Sequence, residues 1–197
     1  MSNIVDGDPL VERIGARVRA ERDRRRWTLS ELAGASGVSR AMINRIERGE
    51  SNPTAVVLGK LSAAFRLSVA TLLDPETPDT GHGDGDRVRR AAGAPQWHDP
   101  ETGYARRQLS GPGFPAEVAE IDLPAGARVP YPAAAFAFHR QLIWVVEGHL
   151  TFHEGETVHE LEPGDTVELG RPAPCVFVNA TDRACRYVVV LVRGEAP

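Results

Sequence analysis

The chain has 197 residues, 42% of them hydrophobic and 25% charged, the balance of an ordinary globular protein. Its longest unbroken aliphatic stretch, Val188 to Val192, falls far short of the roughly 20 residues a membrane helix needs. Asp6 and Asp8 stand where a secretory leader would carry positive charge, and Cys175 and Cys185 are too few for a multi-bridge scaffold or a four-ligand zinc site, so the expected location is cytoplasmic. The net charge of −4 divides unevenly: residues 1–75 hold 12 Arg and Lys against 9 Asp and Glu, while residues 76–197 hold 11 against 18. A basic half joined to an acidic half suggests two domains with different partners, the first a polyanion.

In chain order, Asp8-Pro9 opens a first helix expected to run to about Arg25, with Leu10, Ile14 and Val18 on one face. Thr28 caps a second helix, Leu29 to Ala35, which Gly37 ends. Ser39 caps a third that continues through Arg48 and carries Ile43 and Ile46 one turn apart. Asn52-Pro53-Thr54 starts a fourth, with Leu58, Leu61 and Phe65 along one face, and Ser68 caps a short fifth ending near Leu73. Residues 75–95, rich in Pro, Gly and Asp, read as a linker between a helical unit at 8–74 and a second unit at 96–197. After it come short β-branched runs separated by Gly/Pro turns: Ala116–Leu123, Gln141–Val146, Thr166–Leu169, Val176–Val178 and Tyr187–Val192. The fold class expected is two-domain, all-α followed by all-β. The run Arg24-Arg25-Arg26 is expected to be a solvated face.

Two short helices joined by a turn containing glycine form a helix-turn-helix, here at about 28–47. The stretch TLSELAGASGVSRAMINRIERGESNPT resembles the phage-repressor-like, or xenobiotic-response-element, family of transcriptional regulators. The resemblance covers about residues 10–73 and rests on Leu32-Ala33, Val38-Ser39, Ile43, Ile46-Glu47, Gly49 and Pro53-Thr54. It implies a five-helix domain that lays its third helix in the major groove of double-stranded DNA. Arg40, Ala41, Asn44 and Arg45 then face base edges, a suitable set: Arg forks to guanine, Asn pairs with adenine, and Ala touches a thymine methyl. Phosphate contacts are implied for Thr28, Ser30, Arg48, Ser51 and Asn52, and a structural ion pair for Arg22 and Glu47.

Beyond the linker, LPAGARV, LIWVVEGHLTF, LEPGDTVEL and PAPCVFVN follow in an order that resembles the conserved-barrel, or cupin, family, which implies a jelly-roll β-barrel. The family's metal ligands are missing. Its glutamate position is Gln141, its two first-motif histidines fall within Ala134–Ala137, and its second-motif histidine is Cys175. An amide is a poor substitute for a carboxylate on a divalent ion, so no metal and no cofactor are expected. Strand alternation places His139, Gln141, Ile143 and Val145 on one face of their strand, and Cys175 and Phe177 on one face of another. If both faces look inward, they line a pocket for a small-molecule effector. His149, His153 and His159 fall on a glutamate-rich hairpin and are expected to be solvated rather than ligating.

The reading is a homodimeric, sequence-specific regulator that binds an inverted-repeat operator and is not an enzyme. Two rivals stand behind it: a cupin-type enzyme carrying an autoregulatory DNA-binding domain, and a metal or redox sensor using His139 and Cys175.

Overall fold

The computed structural model describes residues 8–73, 88, 90, 91, 96–111 and 114–193. Among these are five α-helices and ten β-strands. The linker expected at 75–95 lies outside the described residues apart from Val88, Arg90 and Ala91.

Each helix begins where a short polar side chain can take up an orphan amide. Asp8 accepts from Leu10 N at 2.9 Å ahead of α1 (Pro9–Arg24). Thr28 and Glu31 form a reciprocal capping box on α2 (Leu29–Ser36), which ends at Gly37 in the left-handed conformation that glycine adopts without strain. Ser39 caps α3 (Arg40–Glu47), Thr54 caps α4 (Ala55–Phe65), and Ser68 accepts from Thr71 N ahead of α5 (Val69–Leu73). Ile14, Val18, Leu32, Ile43, Ile46, Leu58, Leu61 and Phe65 are excluded from water and form the helical core.

The run Arg24-Arg25-Arg26 departs from the solvated face expected of it. Glu21 is only 1% exposed, and its carboxylate receives Arg17 at 2.9 Å, Arg24 at 2.7 Å and Arg25 at 2.6 Å. Arg25 also donates to the Phe65 carbonyl and lies over the Phe65 ring, so only Arg26 of the three is simply exposed. A buried carboxylate has to be paired, and arginines one turn away are the nearest cations.

The strands form two antiparallel sheets. One has six strands: β1 (Gln96–His98), β2 (Ala105–Gln108), β3 (Ala116–Leu123), β10 (Cys185–Arg193), β5 (His139–Glu147) and β8 (Thr166–Glu168), in that order. The other runs β4 (Arg128–Tyr131), β9 (Cys175–Val178), β6 (Leu150–Glu154), β7 (Thr157–Leu161). No ladder joins the two among the described residues, so the barrel expected from sequence is here a pair of sheets, open at its seams. Their inner faces pack Ile121, Ile143, Val145, Leu150, Phe152, Phe177 and Tyr187, with the Phe177 and Tyr187 rings stacked at 5.6 Å. Cys175 and Cys185 sit on different sheets, and both are free thiols.

The helical unit is docked directly on the sheets. Gly59 of α4 rests against Tyr131, so closely that a Cβ there would lie 2.6 Å from the ring. The Ala55 amide, at the start of the same helix, donates to Asp99 Oδ2 at 2.7 Å. Thr71 and Ser68 both donate to the Glu117 carboxylate, and the Arg66 guanidinium lies 4.6 Å above the Phe138 ring.

Burial alone would raise the Glu21 carboxyl, but the Arg25 hydrogen bond and the charges of Arg17, Arg24 and Arg25 hold it below the ordinary glutamate value. Such a group stabilises the fold above the unfolded value, near 4.3, and loses that contribution as pH falls through its lower folded value. Glu21→Gln should lower stability at neutral pH, by about 1–3 kcal/mol for the weakened charged hydrogen bonds. Denaturant titrations at successively lower pH should bring variant and wild type together; curves that stay parallel would contradict this role.

Candidate nucleic-acid interface and inter-sheet cavity

The α3 helix divides cleanly. Ile43 and Ile46 point into the core, while Arg40, Ala41, Asn44 and Arg45 are all exposed. At 3.6 residues per turn those four positions cover an arc of about 140°. The helix is held from behind by Arg22, whose Nε and Nη2 donate to the two oxygens of Glu47 at 2.7 and 2.8 Å. Its third nitrogen, Nη1, donates to the Trp27 carbonyl at 2.9 Å, which ties the end of α1 to both α3 and the turn before α2. The paired carboxylate raises the Arg22 pKa further, so the charge is permanent.

The residues expected to touch phosphate fall into three groups. Ser30 is exposed with its hydroxyl unused in any described hydrogen bond. Thr28, Arg48 and Ser51 already have internal partners: Thr28 Oγ1 donates to Glu31 at 2.8 Å, Arg48 meets Glu50 at 2.5 Å, and Ser51 Oγ donates to Met42 Sδ at 3.8 Å. Asn52 is committed elsewhere. Its Oδ1 accepts from Trp97 Nε1 at 2.9 Å and its Nδ2 donates to the His98 carbonyl at 3.1 Å. The amide fastens the loop after α3 to the β1 strand, which leaves one Nδ2 hydrogen for a phosphate.

A cavity of about 40 Å³ opens between the two sheets, under α5, room for roughly three water-sized groups. Of the six residues expected to form a pocket, His139, Gln141 and Phe177 line it. Ile143, Val145 and Cys175 are buried but lie outside its lining, deeper in the packed interior. Cys175 donates to the Ala173 carbonyl, and burial, with the Glu154 charge, pushes its thiol up to about 12. A thiol so raised is not a nucleophile at neutral pH. The pairing of His139 with Cys175, on which the metal- or redox-sensor reading rested, is therefore not formed at this cavity. Among the described residues no group of three His, Cys, Asp or Glu side chains is placed to hold a metal ion. His149 is not simply solvated as expected: its ring bridges Glu160 and Glu162 at 2.7 and 3.0 Å.

The cavity contains residues that the sequence did not single out. Arg106 of β2 enters it, as do Tyr131, Tyr187 and, from α5, Val69 and Ala70. Burial is the largest influence on His139 and lowers its pKa, with Arg106 acting the same way and Glu117 and Gln141 opposing them. The imidazole is thus neutral at pH 7. Burial raises Tyr131 and Tyr187 well above the ordinary phenol value, which keeps both uncharged.

Residues 18–72 match the family model described as "Helix-turn-helix". The HTH-type transcriptional regulator SutR of Escherichia coli is 44% identical over 54 residues, which are 27% of this chain and 30% of SutR. SinR of Bacillus subtilis is 42% identical over 62 residues, 31% of this chain and 56% of SinR. The match thus spans less than two thirds of either relative. A crystal structure of a helix-turn-helix-family transcriptional regulator from Vibrio cholerae superimposes on 94% of this chain and 98% of its own, with a TM-score of 0.73 at 21% identity. The helical unit of this chain is thus similar to helix-turn-helix proteins over residues 18–72, and the combination of that unit with two sheets is a fold seen in the Vibrio protein.

Removing Glu47 leaves Arg22 part-buried without its acceptor. Glu47→Ala should destabilise the chain by about 3–5 kcal/mol. Arg22→Lys should recover little of a double hydrogen bond that only a guanidinium can make. Urea unfolding of both variants checks this, and a lysine variant as stable as wild type would contradict it.

Proposed function

We propose that the chain is a cytoplasmic, sequence-specific DNA-binding transcriptional regulator whose grip on its operator is modulated by a small-molecule effector held in the cupin-like half. The observation that carries this reading is the face of α3: four exposed side chains with base-reading chemistry, set on a helix that is pinned from behind. In the docking mode of its family, Arg40, Ala41, Asn44 and Arg45 meet base edges in the major groove. Ser30 and Arg48, with Thr28 and Ser51 once their internal bonds exchange, set register on phosphate.

A homodimer reading an inverted repeat is supported by the outer face of the six-stranded sheet. Trp144, Val146 and Val192 are exposed there, 40% to 47% accessible, which is unusual for large apolar side chains on neighbouring strands. A two-fold dimer reading an inverted repeat needs its two α3 helices about 34 Å apart, one turn of DNA. The route from effector to DNA is short. Val69 and Ala70 line the cavity from α5, and Asn52 couples the loop after α3 to the β1 strand.

Among the described residues no helix is long and apolar enough to cross a membrane. The experiment is selection of bound duplexes from a random pool, followed by anisotropy titration of the recovered sequence. Asn44→Ala and Arg45→Ala should each cost about 1–3 kcal/mol and relax preference at one position. Arg48→Ala should weaken binding to all sequences alike and reduce the salt slope by about 1. Recovery of no preferred sequence would overturn the reading.

A further inference from the structure

We propose that the inter-sheet cavity is a binding site for a short-chain carboxylate, a monoanion of about two to four carbons, anchored by Arg106. The proposal deepens the effector reading above and rests on it for its link to DNA, though not for the binding itself.

The first observation is an unanswered charge. Arg106 is 8% exposed, lines the cavity, and has its Nη2 buried with no hydrogen-bond partner. Its neighbour on the same strand shows what a satisfied arginine looks like: Arg107 points to the other face and meets Glu120 at 2.6 Å. No carboxylate forms an ion pair with Arg106 among the described residues. A buried guanidinium is destabilising unless an anion answers it, and its planar fork matches a carboxylate with two parallel hydrogen bonds.

The second observation is what surrounds that charge. Asp99 is buried, but its two oxygens accept from the backbone amides of Ala55, Glu101 and Thr102. Glu117 is taken by Ser68 and Thr71 at the start of α5. His139, Tyr131 and Tyr187 are neutral, and Gln141 is an amide. The lining therefore carries one cation with hydrogen-bonding neighbours, which suits a single negative charge better than the double charge of sulfate or phosphate. The remaining walls are apolar: Val189 and Leu191 from β10, Phe136 and Phe177, and Val69 and Ala70 from α5. They would accept a short alkyl tail, and the 40 Å³ volume admits little more.

The third observation is position. A ligand with its carboxylate on Arg106 of β2 and its tail against α5 touches both the sheets and the helical unit. Its occupancy then alters how firmly α5 seats, and through α4 and Asn52 how α3 is presented.

The test is calorimetric titration and thermal shift of the full chain with acetate, propionate and butyrate. Propionamide serves as the neutral isostere, and sulfate and phosphate as alternative anions. A carboxylate should bind saturably and raise the melting temperature, while propionamide binds at least about tenfold more weakly. Arg106→Gln should abolish that response while leaving the unliganded protein as stable as wild type or more so, because an unpaired buried charge is gone. If that variant fails to fold, Val69→Trp, which fills the cavity from α5, should block binding with Arg106 intact. Equal binding of propionamide, preference for sulfate or phosphate, or no carboxylate binding at all would each overturn the proposal. The operator titration separates the two readings. Carboxylate binding without a change in operator affinity would uphold the site and overturn the effector role, whereas no carboxylate binding, with operator affinity that responds to another metabolite, would do the reverse.

Discussion

The docking of α4 on the β4 strand is the contact on which the arrangement of this molecule depends. One side of α4 supplies Leu58, Leu61 and Phe65 to the helical core, and another presents Gly59 to the Tyr131 ring. The helix N-terminus is satisfied partly by its own cap, Thr54, and partly by Asp99 across the junction. A backbone amide answered by a buried carboxylate of the other unit is a directional bond, worth more than apolar contact alone in fixing orientation. Because Asn52 lies three residues before α4 and α3 ends five residues before Asn52, the same junction fixes where the exposed face of α3 looks.

Charge is handled in two opposite ways. Around Glu21 and Glu47 every buried ion has partners, and the two clusters lock α1 against α3 and α4. In the cavity the guanidinium of Arg106 is left open. Native interiors rarely tolerate such a group without a use for it. The contrast within one chain gives the cavity its weight: around Glu21 and Glu47 the fold brings carboxylates to its less exposed arginines.

Much of the helical unit was legible because its signals are local. Asp8, Thr28, Ser39 and Thr54 cap helices whose starts they mark in sequence, and Ile43 and Ile46 bury as their spacing requires. The strands β3, β5, β8, β9 and β10 were legible from their β-branched runs, and β6 with β7 as a hairpin, but β1, β2 and β4 were not. Gln96–His98 and Ala105–Gln108 are too short and polar for alternation to register. Arg106 was hidden for that reason, since one arginine of an Arg-Arg pair turning inward is decided by a four-residue strand's pairing with β3. The internal role of Asn52 was not legible, because its partners, Trp97 and His98, lie more than 40 residues away beyond a stretch that reads as a spacer. His139, Gln141 and Phe177 were placed at the cavity by strand parity; Ile143, Val145 and Cys175 share that parity and are buried, but lie outside the cavity lining. Parity gives the face and not the depth.

The hollow at Gly59 bears on how such proteins can be recombined. Regulators built from a reader and a sensor invite the exchange of one sensor for another, on the assumption that the halves are strung together like beads. Here the reader has a socket cut for one aromatic ring, and the sensor has a carboxylate aimed at one helix end. A graft that kept the linker but replaced Tyr131 and Asp99 would leave a gap on one side of α4 and an unanswered amide at its tip. The unit of inheritance, and of engineering, is the seam rather than the domain.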